Sequence, residues 1–278
     1  MNSRDMQVIG LCRFSYPALG GFQVKHDSIE DRIRYLYAED RLEERFRLFE
    51  TIALPCLRHQ TDPNFNLIIV VGDTLPAKHM ERLRALAQDI PQIHILPHAP
   101  GNHRDVMKGI LNAARIDPKA PCLQFRFDDD DAVSLTFVER LRTTTNQCRE
   151  FLKQNRSVAI DFSRGYIAEV GAHGLAATEQ VSPYVTPALG MYVKGGLQLT
   201  IMNFSHVKMH KFMPAICISD EPMWLRTYNA YNDSRQKEVK EVPVAPLTQE
   251  QEAEIKSRFG VDANLVRQAF APDRTRSR

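Results

Sequence analysis

The chain opens on a short apolar run, QVIGLCRF, rich in β-formers, and a Pro/Gly stretch, SYPALGG, separates it from a long helical pattern. From about Ser28 to Arg58 the residues Phe46, Phe49, Ile52 and Ala53 recur three and four apart, the spacing of one buried helix face. NLIIVVGD is near-continuous Leu, Ile and Val, as in a strand covered on both faces of a parallel sheet. PAKHMERLRALAQD then predicts a helix with Pro76 near its first turn, where a missing N–H is tolerated. The pattern repeats with the strand QIHILPH, the helix HRDVMKGILNAARI and the strand CLQFRF. This alternation predicts an α/β fold with a doubly wound, mostly parallel sheet flanked by helices, whose ligands bind beyond the carboxyl ends of the strands.

The fourth strand ends in four aspartates, FRFDDDDAV. Next come a helical pattern, SLTFVERLRTTTNQCREFLKQ, that Ser134 is placed to cap, and a strand, SVAIDFSRGYI. From Gly165 to Pro214 the pattern is irregular, apart from a strand at LGMYV, and predicts a substrate-shaping wall. TQEQEAEIKSRFG and DANLVRQAFA predict two short helices with Gly260 as the stop between them. Residues 1–243 therefore read as one domain, with a nucleotide half at 1–133 and an acceptor half at 134–243, and 244–278 as a helical extension and tail.

With 278 residues and 43% hydrophobic content the chain can bury a sizeable core. Thirty-six basic and 34 acidic residues leave a net charge of +2, which advertises no nucleic-acid partner. The five cysteines never form C-x-x-C, against a disulfide framework or a structural zinc site. No window approaches a membrane span or a signal-peptide core, so a soluble cytoplasmic protein is expected, with room for peripheral membrane association.

Four adjacent carboxylates need a reason, since each neighbouring pair repels by roughly 1 kcal/mol at 4 Å even in water. If strand geometry persists, Asp128 and Asp130 share one side and form a hard oxygen pair suited to Mg²⁺ or Mn²⁺, which also accept substrate phosphates. The bland alternative is an acidic loop at a helix start, which accounts for one or two of the four.

RFRLFETIALPCLRHQTDPNFNLIIVVGDTLP, FRFDDDDAV, VAIDFSRGYI and PMWLRTYNAYNDS together resemble the bacterial rhamnosyltransferase family, over roughly residues 6–235, and the aspartate run resembles the D-x-D motif of GT-A glycosyltransferases. The resemblance implies a GT-A-like fold, a nucleotide diphosphate sugar donor, a divalent cation, and a glycan or lipid-linked acceptor, with inversion at the anomeric carbon. It places Asp130 on the metal and Asp128 nearer the sugar or ribose, adds Asp129 to the donor-binding set, and matches Asp131 to an extra acid of inverting members. It sets Arg13, Phe14, Ser15 and Asp73 around the nucleotide, with Arg13 facing a phosphate and Arg104 a weaker candidate for that task. In ISDEPMWLR, Asp220 and Glu221 before a helix with Leu225 and Arg226 resemble the general-base motif, though both also read as helix-start residues.

A further metal ligand, often His in that fold, is sought in TYNAYNDSR, which offers Asn229 instead. His206 and His210 read as surface residues or acceptor contacts, and Trp224 as core or a sugar platform. Two other readings stay open: a nucleotidyltransferase, disfavoured by the lack of a glycine-rich phosphate loop, and a non-catalytic nucleotide or glycan binder.

Overall fold

The computed structural model describes residues 6–20, 26–228 and 242–272. Strand β1 (Gln7–Arg13) is followed by α1 (Ile29–Leu36), α2 (Glu39–Leu48), α3 (Leu54–Arg58), β2 (Asn66–Gly72), α4 (Ala77–Ala87), β3 (Ile93–His98), α5 (His103–Ala113) and β4 (Cys122–Asp128). Strands β2 and β4 flank β1 in parallel, and β3 lies outside β2. The chain continues through β5 (Ala132–Val133), α6 (Phe137–Gln147), α7 (Arg149–Gln154), β6 (Ser157–Phe162), β7 (Arg164–Gly171), β8 (Gly174–Val181), β9 (Leu189–Val193), β10 (Ala215–Ile218) and β11 (Trp224–Tyr228). It closes with β12 (Ala245–Pro246), α8 (Gln249–Phe259) and α9 (Ala263–Ala269).

The main sheet has the order β10-β6-β9-β4-β1-β2-β3, with β9 antiparallel to both neighbours and the other pairs parallel. This is the expected doubly wound, mostly parallel sheet. Alternation along β1 sends Val8 and Cys12 into one apolar core and Ile9 and Leu11 into the other, so helices must cover both faces. Gly10 has a steric reason: a Cβ there would sit 2.3 Å from the Phe125 ring, which lies across β1 from the neighbouring strand.

The long helical stretch is broken into pieces. Ser28 caps α1 by accepting the Asp31 N–H, and the helix ends at Tyr37. Between α2 and α3, Phe49–Ala53 is π-helical, and the Leu54 amide reaches back five residues to the Phe49 carbonyl. Pro55 supplies the cause, because it has no N–H to donate and its ring crowds the carbonyl four residues back. Phe46, Phe49, Ile52 and Ala53 are all fully buried, as their spacing predicts.

A second sheet, β12-β8-β7-β11-β5, sits beyond the aspartates and corrects three expectations. SVAIDFSRGYI is two strands, β6 in the main sheet and β7 in the second, separated by Ser163. Much of the segment expected to be irregular is the hairpin β7–β8, while the strand expected at LGMYV is β9. Small residues such as Ala176 and Ala177 in β8 blur the alternation that identifies a strand. Leu225 and Arg226 lie in strand β11, not in a helix, with Trp224, Leu225 and Thr227 buried.

Ser134 does not cap α6, which begins at Phe137. Its N–H donates to the Met223 carbonyl and its own carbonyl accepts from Gln60, so its backbone still follows β5. In the C-terminal helices Gly260, at φ 74°, is the stop the sequence predicts, Thr248 and Gln251 form a reciprocal cap, and Ile255, Phe259 and Val266 join the core that contains Trp224. All five cysteines are free. No described helix is long and apolar enough to cross a membrane.

Candidate functional site

The register of β1 and β4 sets Arg13 opposite Asp128 at the carboxyl ends of the two central strands. There β4 stops. The Asp131 N–H turns back to the Asp128 carbonyl at 3.2 Å, so the alternation needed to align Asp128 with Asp130 ends one residue too early. Asp129, Asp130 and Asp131 are buried, and Asp128 is partly exposed. Arg45, itself buried on α2, spans two of them, with Nη2 3.1 Å from Asp129 Oδ1 and Nη1 3.5 Å from Asp130 Oδ2. Strand β11 holds the rest of the turn: Asp131 Oδ1 accepts the Thr227 N–H at 3.0 Å, and the Thr227 hydroxyl donates to the Asp130 carbonyl at 2.7 Å.

Burial pushes the Asp131 carboxyl well above the usual range, the neighbouring Asp130 charge adds to this, and Arg226 opposes it. For Arg226, burial works against the charged form, but Asp131 and Asp128 outweigh it and raise its pKa. The aspartate repulsion is thus met mainly by guanidinium groups from α2 and β11.

On the other side of Asp128 the charge reverses. Leu11, Arg13, His103, Arg126, Phe127, Asp128 and Met202 line a cavity of about 10 Å³, room for one water-sized oxygen. His103, the first residue of α5, is buried and its Nε2 has no hydrogen-bond partner among the described residues. Burial and then the charges of Arg13, Arg126 and Arg104 hold it neutral, with its pKa lowered to about 3. Burial also lowers the pKa of Arg126, against the pull of Asp128. His206, partly buried, is held near 4 by burial and the adjacent Arg126, while Asp128 opposes this. A larger apolar groove of about 860 Å³ between β3 and α5, lined by residues such as Ile68, Ile95, Leu96 and Ile110, carries no comparable convergence of charge.

Other nominated residues divide by position. The Phe14 ring is fully buried against Phe46 and Phe49, so its side chain belongs to the core. Ser15 sits at the left-handed φ of 48°, with Oγ accepting from Arg41 at 3.2 Å, a strained point where the chain leaves the sheet. Asp73 is exposed after β2, close enough to Tyr16 and Tyr37 to help raise their pKa values, although burial is the main cause. Arg104 is exposed on the first turn of α5. Ser15, Asp73 and Arg104 lie at the same end of the sheet.

Asp220 and Glu221 are not brought to it. They precede β11, whereas the aspartate turn meets the far end of that strand at Thr227, about 10 Å of strand beyond Trp224. Asp220 pairs with Arg140 at 2.6 Å, and Glu221 with Arg258 at 2.9 Å and Arg140 at 3.3 Å. Trp224 is fully buried and offers no sugar platform. His210 is exposed against Tyr184, and Asn229 lies outside the described residues.

Arg126 had a legible signal, since it precedes Asp128 by two on one strand and shares its face. Arg45 had none, being far away in sequence.

The residues do not fit a divalent cation as expected. Asp130, the anticipated ligand, shares Arg45 with Asp129 and is buried, while Asp128 faces a cavity lined by guanidinium groups. No group of three or more His, Cys, Asp or Glu side chains is arranged to hold a metal among the described residues.

Among solved structures the chain is similar to S. aureus TarS 1-349 at 11% identity and a TM-score of 0.39, covering 80% of this chain and 60% of that one. For TarS 1-349 in complex with UDP the TM-score is 0.44 at 11% identity, with coverage of 80% and 61%. The chain therefore spans less than two thirds of the solved chains it resembles. No curated protein matches it. The family model described as "Putative rhamnosyl transferase" matches residues 7–241, which include β1 to β11, and the chain belongs to that family.

Proposed function

We propose that this chain is a glycosyltransferase that moves a sugar, rhamnose by its family's description, from a nucleoside diphosphate donor to a glycan or lipid-linked acceptor. The observation that carries the reading is the cavity at the carboxyl ends of β1 and β4, lined by the guanidinium groups of Arg13 and Arg126, by Asp128 and by the neutral His103, where a doubly wound sheet opens to ligands. In the transfer, the acceptor oxygen bonds to the anomeric carbon while the bond from that carbon to the diphosphate oxygen breaks. The electron pair leaves with the nucleoside diphosphate, and the hydroxyl proton passes to a base. Negative charge grows on the leaving phosphate, and fixed guanidinium groups stabilise charge that develops there. Ser15 and Asp73, at the ends of β1 and β2, meet the nucleoside in this reading. Asp220 and Glu221, ion-paired elsewhere, are not assigned the proton.

The test is nucleotide release. The full chain is incubated with UDP-, GDP- and dTDP-sugars, dTDP-rhamnose among them, with and without Mn²⁺, and free nucleoside diphosphate is measured. Release from one donor class supports the reading. Binding without release from any donor favours a non-catalytic binder, and no interaction with any nucleotide removes the proposal.

A further inference from the structure

We propose that guanidinium groups replace the divalent cation in this chain: the donor diphosphate is held through the cavity of Arg13, His103 and Arg126, and its binding is independent of metal. The inference rests on the glycosyltransferase reading and goes beyond it, because the D-x-D resemblance implies the opposite.

Two independent observations support it. First, the aspartates are already compensated from within: Arg45 takes Asp129 and Asp130, and Asp131 faces Arg226 while accepting the Thr227 N–H. A dication entering beside Asp128 meets a positive wall, since Arg126, Arg226 and Arg13 all act electrostatically at this end of the sheet. Second, the cavity is built for an anion. It is the size of one oxygen, the two guanidinium groups of Arg13 and Arg126 outnumber the one carboxylate, Asp128, in its lining, and the buried His103 presents an Nε2 that no described group engages. Arg126 is partly buried and feels the charge of Asp128. A buried ring nitrogen without a partner is costly unless a ligand completes it, and a phosphate oxygen engages it together with the neighbouring guanidinium groups, with charge assistance. Arg104, exposed on the first turn of α5, is placed to meet the rest of the phosphate.

The experiment is calorimetric titration of the full chain with UDP, GDP and dTDP, and separately with inorganic pyrophosphate, in EDTA and in Mn²⁺. The expected result is one nucleotide that binds in EDTA within about threefold of its affinity in Mn²⁺, with pyrophosphate binding in both. Arg126→Gln should weaken both ligands by about 10- to 100-fold, the worth of one charge-assisted hydrogen bond. Should Arg126→Gln fail to fold, Arg104→Ala, at an exposed position, should still weaken both ligands severalfold and steepen no metal dependence.

Nucleotide binding that appears only with Mn²⁺ overturns the inference and leaves the glycosyltransferase reading intact. Pyrophosphate binding in EDTA without any nucleotide supports the cradle and overturns the donor assignment. Failure of every ligand in both conditions overturns both.

Discussion

The turn Asp129–Asp131 and the loop Asp220–Glu221 both set neighbouring carboxylates against arginines, one inside the molecule and the other near its surface. At the turn, the side chains of Arg45, Asp129 and Asp130 are 6%, 2% and 10% exposed. In the loop, those of Arg140 and Asp220 are 28% and 55% exposed. Water can replace a lost partner at the loop and cannot at the turn. The same pairing therefore fixes a backbone in one place and decorates a surface in the other, and burial separates the two roles.

The strongest way to break this comparison is Arg45→Met. Removing one member of a buried pair costs roughly 3–5 kcal/mol. Urea denaturation at neutral pH should show a loss of that size. A loss under about 1 kcal/mol at neutral pH would place the turn among surface pairs.

Asp161 sharpens the contrast without any arginine. It is fully buried at the end of β6, with Oδ2 accepting the Tyr184 N–H at 3.0 Å, and burial raises its pKa from 3.8 to about 6 against that hydrogen bond and one involving Cys217. Between those two values the folded protein holds a proton that the unfolded chain has released, so stability falls as pH rises through the window. The share is about 2–3 kcal/mol by order of magnitude. Asp161→Asn should flatten that slope between pH 4 and 6, read from denaturation midpoints. An unchanged slope would assign it to other groups, Asp131 first.

Residues 1–130 were legible because their strands are continuous apolar runs and their helices carry clear periodicity and caps. Beyond the aspartates the signal weakens: β8 contains small residues, β7 follows β6 after one serine, and β11 mimics a helix start. The aspartates, Arg13, Asp73 and Arg104 lie at the carboxyl end of the main sheet, as their places in the sequence suggest. The partners that decide its chemistry came from afar: Arg45 from α2, Thr227 and Arg226 from β11, and His103 and His206 from helix starts. Tertiary contacts of that range leave no local pattern. Arg126 alone was readable, two residues before Asp128.

The smallest effects belong to Asp220 and Glu221. Half-exposed ion pairs contribute about 0.2–1 kcal/mol and are screened by salt, so Asp220→Asn and Glu221→Gln should each shift stability by no more than that. The sign with pH is opposite to that of Asp161. Burial tends to raise the Asp220 pKa, but the hydrogen bond and charge of Arg140 outweigh it and set the folded value below the unfolded one. Its contribution is present above the unfolded pKa and is lost as pH falls through the folded pKa, so Asp220→Asn should differ least from the parent in acid. The same variants test the reaction. A base held by an arginine with its pKa depressed is a poor proton acceptor near neutrality. A fall in transfer rate of about 100-fold with donor affinity unchanged, the usual scale for losing a general base, would nevertheless return these residues to the chemistry. It would also mean that the loop and the aspartate turn come together during catalysis, across a separation this fold holds open.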